Sequence, residues 1–186
     1  INFKLLNLKI YYRHKNLSTY LSLILALCGG ISEQNVSAET KLTATFSITY
    51  EPGVLKAIAL QNGVPVDSVI LQTAGKATKI KLTADRNIIR TSRNDLSYVT
   101  AEILDTNGQL VPDAVLPLHF DIKGVGEIIA TANANPSDME SFQQPQHKTF
   151  RGKCLIIVRP NGKGGTIKLN ATGEGLKMGE VAIESK

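Results

Sequence analysis

From Thr40 onward, apolar and polar residues fall in short runs whose period is two, cut by glycine, proline and asparagine. No stretch sustains the period of 3.6 that an amphipathic helix needs. The clearest run is Lys41 to Tyr50, where Leu42, Ala44, Phe46 and Ile48 alternate with Lys41, Thr43, Thr45, Ser47 and Thr49. Successive strand side chains point to opposite faces, so this pattern predicts a half-buried strand. Glu51-Pro52-Gly53 turns the chain into a strand from Val54 to Leu60. Gln61-Asn62-Gly63 turns it again toward Val66 to Gln72, which gives a meander.

Further strands are predicted at Thr78 to Leu82, Ser97 to Leu104, Ala114 to Ile122, Glu127 to Thr131, Cys154 to Arg159, Thr166 to Ala171 and Glu180 to Ile183. Seven or so strands at this spacing fit an antiparallel sandwich. Cys154 to Val158 is apolar without alternation, which predicts a central strand covered on both sides. The polar, proline-containing stretch from Asn133 to Thr149 is too long for a turn and is expected to be a surface loop, the natural place for a contact function. The fold class is therefore all-β.

The first 38 residues differ from the rest. A basic stretch through Lys15, an apolar stretch from Leu21 to Leu27 and the small residues Val36-Ser37-Ala38 have the layout of a secretory signal with its cleavage site. Export to the periplasm or the extracellular space follows if that leader is genuine. The alternative is an accidental translation ahead of a truncated or frame-shifted gene. The apolar stretch is too short for a stable transmembrane span. Cys28 resembles an acylated lipoprotein cysteine, although Leu27 before it is larger than such sites prefer.

Composition narrows the function classes. The 186 residues are 42% hydrophobic, enough to bury a core, with 5% aromatics and no Trp. Few rings argue against a sugar-stacking platform. The net charge of +5 is concentrated in the leader, which carries Lys4, Lys9, Arg13 and Lys15 against Glu33. The remainder holds 17 basic and 15 acidic residues in mixed order, without the one-sided patch that nucleic acid demands. Two cysteines, Cys28 and Cys154, make no disulfide framework, and Cys154 is expected to be a buried, inert thiol.

An ordered set of motifs adds a family. Tyr50-Glu51-Pro52-Gly53-Val54-Leu55-Lys56-Ala57, Leu71-Gln72-Thr73-Ala74-Gly75, Leu82-Thr83-Ala84-Asp85-Arg86, Asn94-Asp95-Leu96-Ser97-Tyr98-Val99, Asp105-Thr106-Asn107-Gly108 with Val111-Pro112, and Phe150-Arg151-Gly152-Lys153-Cys154-Leu155 follow one another. Together they resemble the C-terminal end of glycoside hydrolase family 2 β-galactosidases. That resemblance implies immunoglobulin-like sandwiches and divides the chain into the leader at 1–38, closing strands of a preceding sandwich at 39–66, and a C-terminal immunoglobulin-like domain at 67–186 entered through Leu71 to Gly75. It implies a non-catalytic piece with a structural, interdomain role beside the other domains or subunits of a glycosidase, with carbohydrate as a further partner. A secreted adhesion, spacer or carbohydrate-binding module is the alternative; Asp105 through Val115 also resembles invasin-type repeats.

Candidate chemistry is sparse. Family 2 catalysis uses two glutamates on barrel strands, and no segment resembles those strands, so no catalytic residue is assigned. Asp85, Asp95, Glu102 and Asp105 are expected to be solvated or to cap turns, with Asp85 and Arg86 pinning a loop at a strand exit. Asp105 through Gly108 is expected to be a hairpin turn and Gly162 through Thr166 a hairpin tip, neither a calcium nor a phosphate loop. His14, His119 and His147 have no spacing that gathers metal ligands. No metal and no cofactor are expected. The strand after Gly124-Val125-Gly126 leads into Ala132-Asn133-Ala134-Asn135-Pro136 where the family usually has Asn-Gly, so the turn there is expected to change shape, Ala tolerating positive φ poorly. The glycosylation tripeptides at Asn16, Asn35 and Asn170 carry no weight.

Overall fold

The computed structural model describes residues 5–11, 21–27, 30–37, 39–41 and 43–186. The described residues form 15 strands in two compact units, which part between Thr73 and Ala74.

In the first unit, β1 (Leu5–Tyr11) pairs with β4 (Thr43–Thr49). A second sheet has the order β3 (Gly30–Val36), β2 (Leu21–Leu27), β5 (Val54–Gln61), β6 (Val64–Gln72). The alternation in β4 works as expected: Ala44 and Phe46 are buried, while Thr45 and Ser47 face outward. The Gln34 amide on β3 reaches β4, donating to Thr45 O at 2.8 Å and accepting from Thr45 N at 3.1 Å. Asn62 and Gly63 both have positive φ, 52° and 76°, the conformation of the tight hairpin turn that follows the twist of the strands.

The described residues before Thr73 cluster in this one unit. Leu21–Leu27, expected to be the apolar centre of a leader, is a strand hydrogen-bonded on both sides, and Leu5–Tyr11 is also a strand. A seven-residue apolar run satisfies the pattern of a signal and of a strand alike. Residues 1–38 and 39–66 thus contribute to one unit. Cys28, Ala38, His14 and the Asn16-Leu17-Ser18 tripeptide lie partly or wholly outside the described residues.

The second unit is a sandwich. One sheet has the order β12 (Gln146–Lys148), β10 (Pro117–Gly124), β14 (Gly165–Thr172), β15 (Gly179–Ser185), β8 (Ile88–Ile89). The facing sheet has the order β11 (Gly126–Ala132), β13 (Lys153–Pro160), β9 (Ser97–Leu104), β7 (Lys79–Ala84). All pairs are antiparallel except β15 with β8. Alternate residues of both sheets, among them Val99, Ile103, Leu118, Phe120, Ile156, Val158, Ile167, Leu169 and Ile183, close a core with almost no exposure.

Two expectations change here. β13 is central, but within the run Cys154 to Val158 only Cys154, Ile156 and Val158 are fully buried. Leu155 and Ile157 on the other face are partly exposed, so that face lacks the second cover the apolar run suggested. Gly162 through Thr166 is no hairpin tip, because β13 and β14 lie in different sheets and the connection crosses between them. Ala134 is not at positive φ, so the Asn133 turn needs no glycine. Real constraint falls on Gly124 (φ 97°) and Gly152 (φ 74°), where a Cβ would lie 2.1 Å from Thr166 O and 2.4 Å from Val111 O.

Candidate functional site

The segment from Asn133 to Phe150 is the most chemically dense part of the second unit. A cascade of side-chain caps folds it. Asn135 N donates to Asn133 Oδ1 at 2.8 Å, Ser137 N to Asn135 Oδ1 at 3.1 Å, and Glu140 N to Asp138 Oδ1 at 3.0 Å. Short polar side chains that accept from the backbone two residues on supply turns without helix or sheet, which is why this polar stretch can be ordered. Thr131 donates its hydroxyl to Gln144 O at 2.9 Å and its amide to Phe142 O at 2.7 Å, tying the loop to β11. Its end then joins the sheet edge as β12, which the loop expectation had not included.

β12 aims His147 inward. The imidazole is fully buried, and its Nε2 lies 2.7 Å from Asp138 Oδ2. Nδ1 lies 3.9 Å from Glu140 Oε2 and has no hydrogen-bond partner. Phe142 stacks on the ring at 6.2 Å. Glu140 is held by Lys148, whose Nζ donates to Oε1 at 2.8 Å and whose backbone N–H donates to Oε2 at 3.1 Å. One ligand atom from each of Asp138, Glu140 and His147 can be chosen so that all lie within 4.8 Å of one another. Sequence reasoning saw only three scattered histidines. The signal available was an Asp-x-Glu pair preceding a histidine on one loop.

Beside this cluster lies an open cavity of about 390 Å³, lined by Asn133, Asn135, Asp138, Glu140, Lys148 and Phe150 among others. Both carboxylates stay ionised. The Glu140 amide holds the Asp138 carboxyl below the usual range, and the His147 ring adds to this against the opposing effect of burial. The Lys148 ammonium and amide do the same for Glu140. Glycosidic cleavage by a carboxyl pair needs one member raised in pKa to donate a proton. This pair has none, so its arrangement does not suit that chemistry.

The other acidic residues serve as structural ties. Asp105 is fully buried and accepts from Gly75 N, Asn107 N and Gln109 N at 2.8 to 2.9 Å. It therefore caps its turn, as expected, but is buried instead of solvated. The Gly75 amide chiefly, with those of Gln109 and Asn107, holds its carboxyl low. Asp85 Oδ1 accepts from Ser97 Oγ and Tyr98 N. Arg86 sits 3.8 Å from Asp85 but pairs more closely with Asp95, at 2.9 Å, and donates to Leu96 O. The expected loop pin thus draws in a third residue. Glu102 pairs with Lys153 at 2.8 Å. Cys154 is buried, and burial pushes its thiol up to about 12.

With fold and geometry in hand, the relatives are informative. Residues 80–182, more than half of the chain, match the model of glycoside hydrolase family 2 C-terminal domain 5. The chain belongs to that family. It is 40% identical over 145 residues to the β-galactosidase BoGH2A of Bacteroides ovatus, a match covering 78% of this chain and 17% of that protein. A solved glycosyl hydrolase family 2 member from Bacteroides cellulosilyticus superposes with a TM-score of 0.83 at 36% identity, over 89% of this chain and 21% of the other. A β-glycosidase from Bacteroides vulgatus, at 22% identity and a TM-score of 0.77 over 98% of this chain, shares the fold. The chain thus spans about a fifth of the length of these relatives.

Proposed function

We propose that this chain works as the non-catalytic C-terminal part of a longer family 2 glycosidase of the β-galactosidase type, with an interdomain packing role. The observation that carries this reading is the matched length: similarity covers 78 to 89% of this chain but only 17 to 21% of the enzymes it resembles. The outer strand of the first unit supports it. Every residue of β6 is exposed, including Val64, Val66, Val69, Ile70 and Leu71. An apolar strand open along its edge and on both faces invites association, and natural proteins normally cover such edges. Packing against further domains of the same enzyme would do so.

The test is to translate the genomic DNA upstream of the Ile1 codon and to assay the purified chain on a chromogenic β-galactoside. A barrel with two glutamates in a continuous frame, together with an inactive isolated chain, is the expected result. Hydrolysis by the chain alone, or an upstream region without a barrel, would defeat the reading.

A further inference from the structure

We propose that the Asn133–Thr149 loop holds a divalent first-row transition ion between His147 Nδ1 and Glu140 Oε2. The geometry is specific. His147 Nε2 lies within hydrogen-bond distance of Asp138 Oδ2, at 2.7 Å. Its Nδ1 is completely buried, has no hydrogen-bond partner and lies 3.9 Å from the carboxylate oxygen Glu140 Oε2. A buried polar nitrogen without a partner costs free energy until a cation or a hydrogen-bonding group joins it.

The chemistry of the donors selects the occupant. An imidazole nitrogen with a carboxylate oxygen suits zinc and its neighbours better than the all-oxygen preference of calcium or magnesium. A ligating histidine typically donates its other ring N–H to a carboxylate, which fixes tautomer and orientation. Asp138 already fills that positioning role. Metal–donor bonds of about 2.0 to 2.2 Å place tetrahedral donors roughly 3.4 Å apart. The 3.9 Å gap therefore closes with a sub-ångström shift of Glu140, whose side chain keeps a third of its exposure. Asp138 and Glu140 also line the adjoining open cavity, so the carboxylate side of the pair faces solvent. The Lys148 ammonium on Glu140 Oε1 opposes the ion's charge, so binding in the micromolar range is expected, not the tight capture of a structural zinc site.

The experiment follows the ring nitrogens of His147 in the full-length, ¹⁵N-labelled chain by long-range ¹H–¹⁵N correlation during titration with zinc chloride at neutral pH. The metal-free chain should show the Nε2–H tautomer. Zinc should shift the Nδ1 resonance and saturate near one equivalent at this histidine, while calcium chloride leaves it unmoved. Glu140→Gln should weaken zinc binding at His147 at least ten-fold, and Asp138→Asn by a similar factor. A His147 Nδ1 that is already protonated in the metal-free chain, or that stays unshifted at 1 mM zinc, would overturn the proposal in favour of a proton or a bridging water. Because the decisive reading is made on the unmutated chain, it stands even if a variant misfolds, and it is independent of whether the chain belongs to a longer glycosidase.

Discussion

Replacing Thr149 separates a hydrogen bond from a methyl group at the root of the candidate site. Thr149 is buried, its hydroxyl accepts from Leu116 N at 2.9 Å, and it donates to Ala114 O at 2.9 Å. Thr149→Val keeps the shape and removes the hydroxyl. Ala114 O keeps the amide of Gly152 at 3.1 Å, but Leu116 N is left without an acceptor. One stranded, partly buried donor costs about 1–3 kcal/mol. Thr149→Ser keeps the hydroxyl and loses one buried methyl, about 1 kcal/mol. Valine should therefore be the more damaging change by roughly 1 kcal/mol, although it is the more hydrophobic residue and the better strand former. The assay is urea unfolding of the full chain followed through NMR methyl signals of Ile156 and Ile183, which report on the second unit alone. A valine variant as stable as the parent, or more stable than the serine variant, would refute the reasoning.

Other predictions follow from the same geometry. Gly175 has φ 70° and open space around it, so Gly175→Ala should cost only the backbone term of about 1 kcal/mol; Gly152→Ala adds a Cβ 2.4 Å from Val111 O and should cost clearly more in the same unfolding assay. Asp95, Asp105, Asp138 and Glu140 are all held low in the folded state, so the stability they confer is present above the unfolded values near 4 and is lost as pH falls through the lower folded values. The unfolding midpoint should accordingly drop steeply only below about pH 4, and Asp105→Asn should lower it at pH 7 while flattening the acid limb. Cys154, with its thiol near 12, should resist a thiol reagent at pH 8 in the folded chain and react in urea, as peptide mapping would detect. On the open edge, Ile70→Lys should leave the unfolding midpoint within about 0.5 kcal/mol of the parent and reduce self-association by light scattering.

Period-two alternation determined much of this protein without help. In β4 the alternation fixed the inward face of Ala44 and Phe46, and the Asn62-Gly63 pair marked a hairpin because both residues can take positive φ. The absence of any helical period settled the class, and the motif order from Tyr50 to Leu155 indicated the family.

Partnership was beyond the sequence. That Leu21–Leu27 pairs with both β3 and β5 is set by partners far along the chain, which local pattern does not encode. Likewise Gly162 through Thr166 reads as a hairpin tip until the flanking strands are assigned to opposite sheets. The candidate site shows the same limit most plainly. Asp138, Glu140 and His147 lie in a stretch that reads only as a polar surface loop, because polarity along a chain says nothing about which side chain an edge strand will turn inward. Pairing β12 with β10 decided that, burying His147 beside two carboxylates and creating a donor set that composition and spacing did not announce. Alternation is a local property set by the pleat, whereas convergence of side chains from different strands is set only when the sheets close around one core.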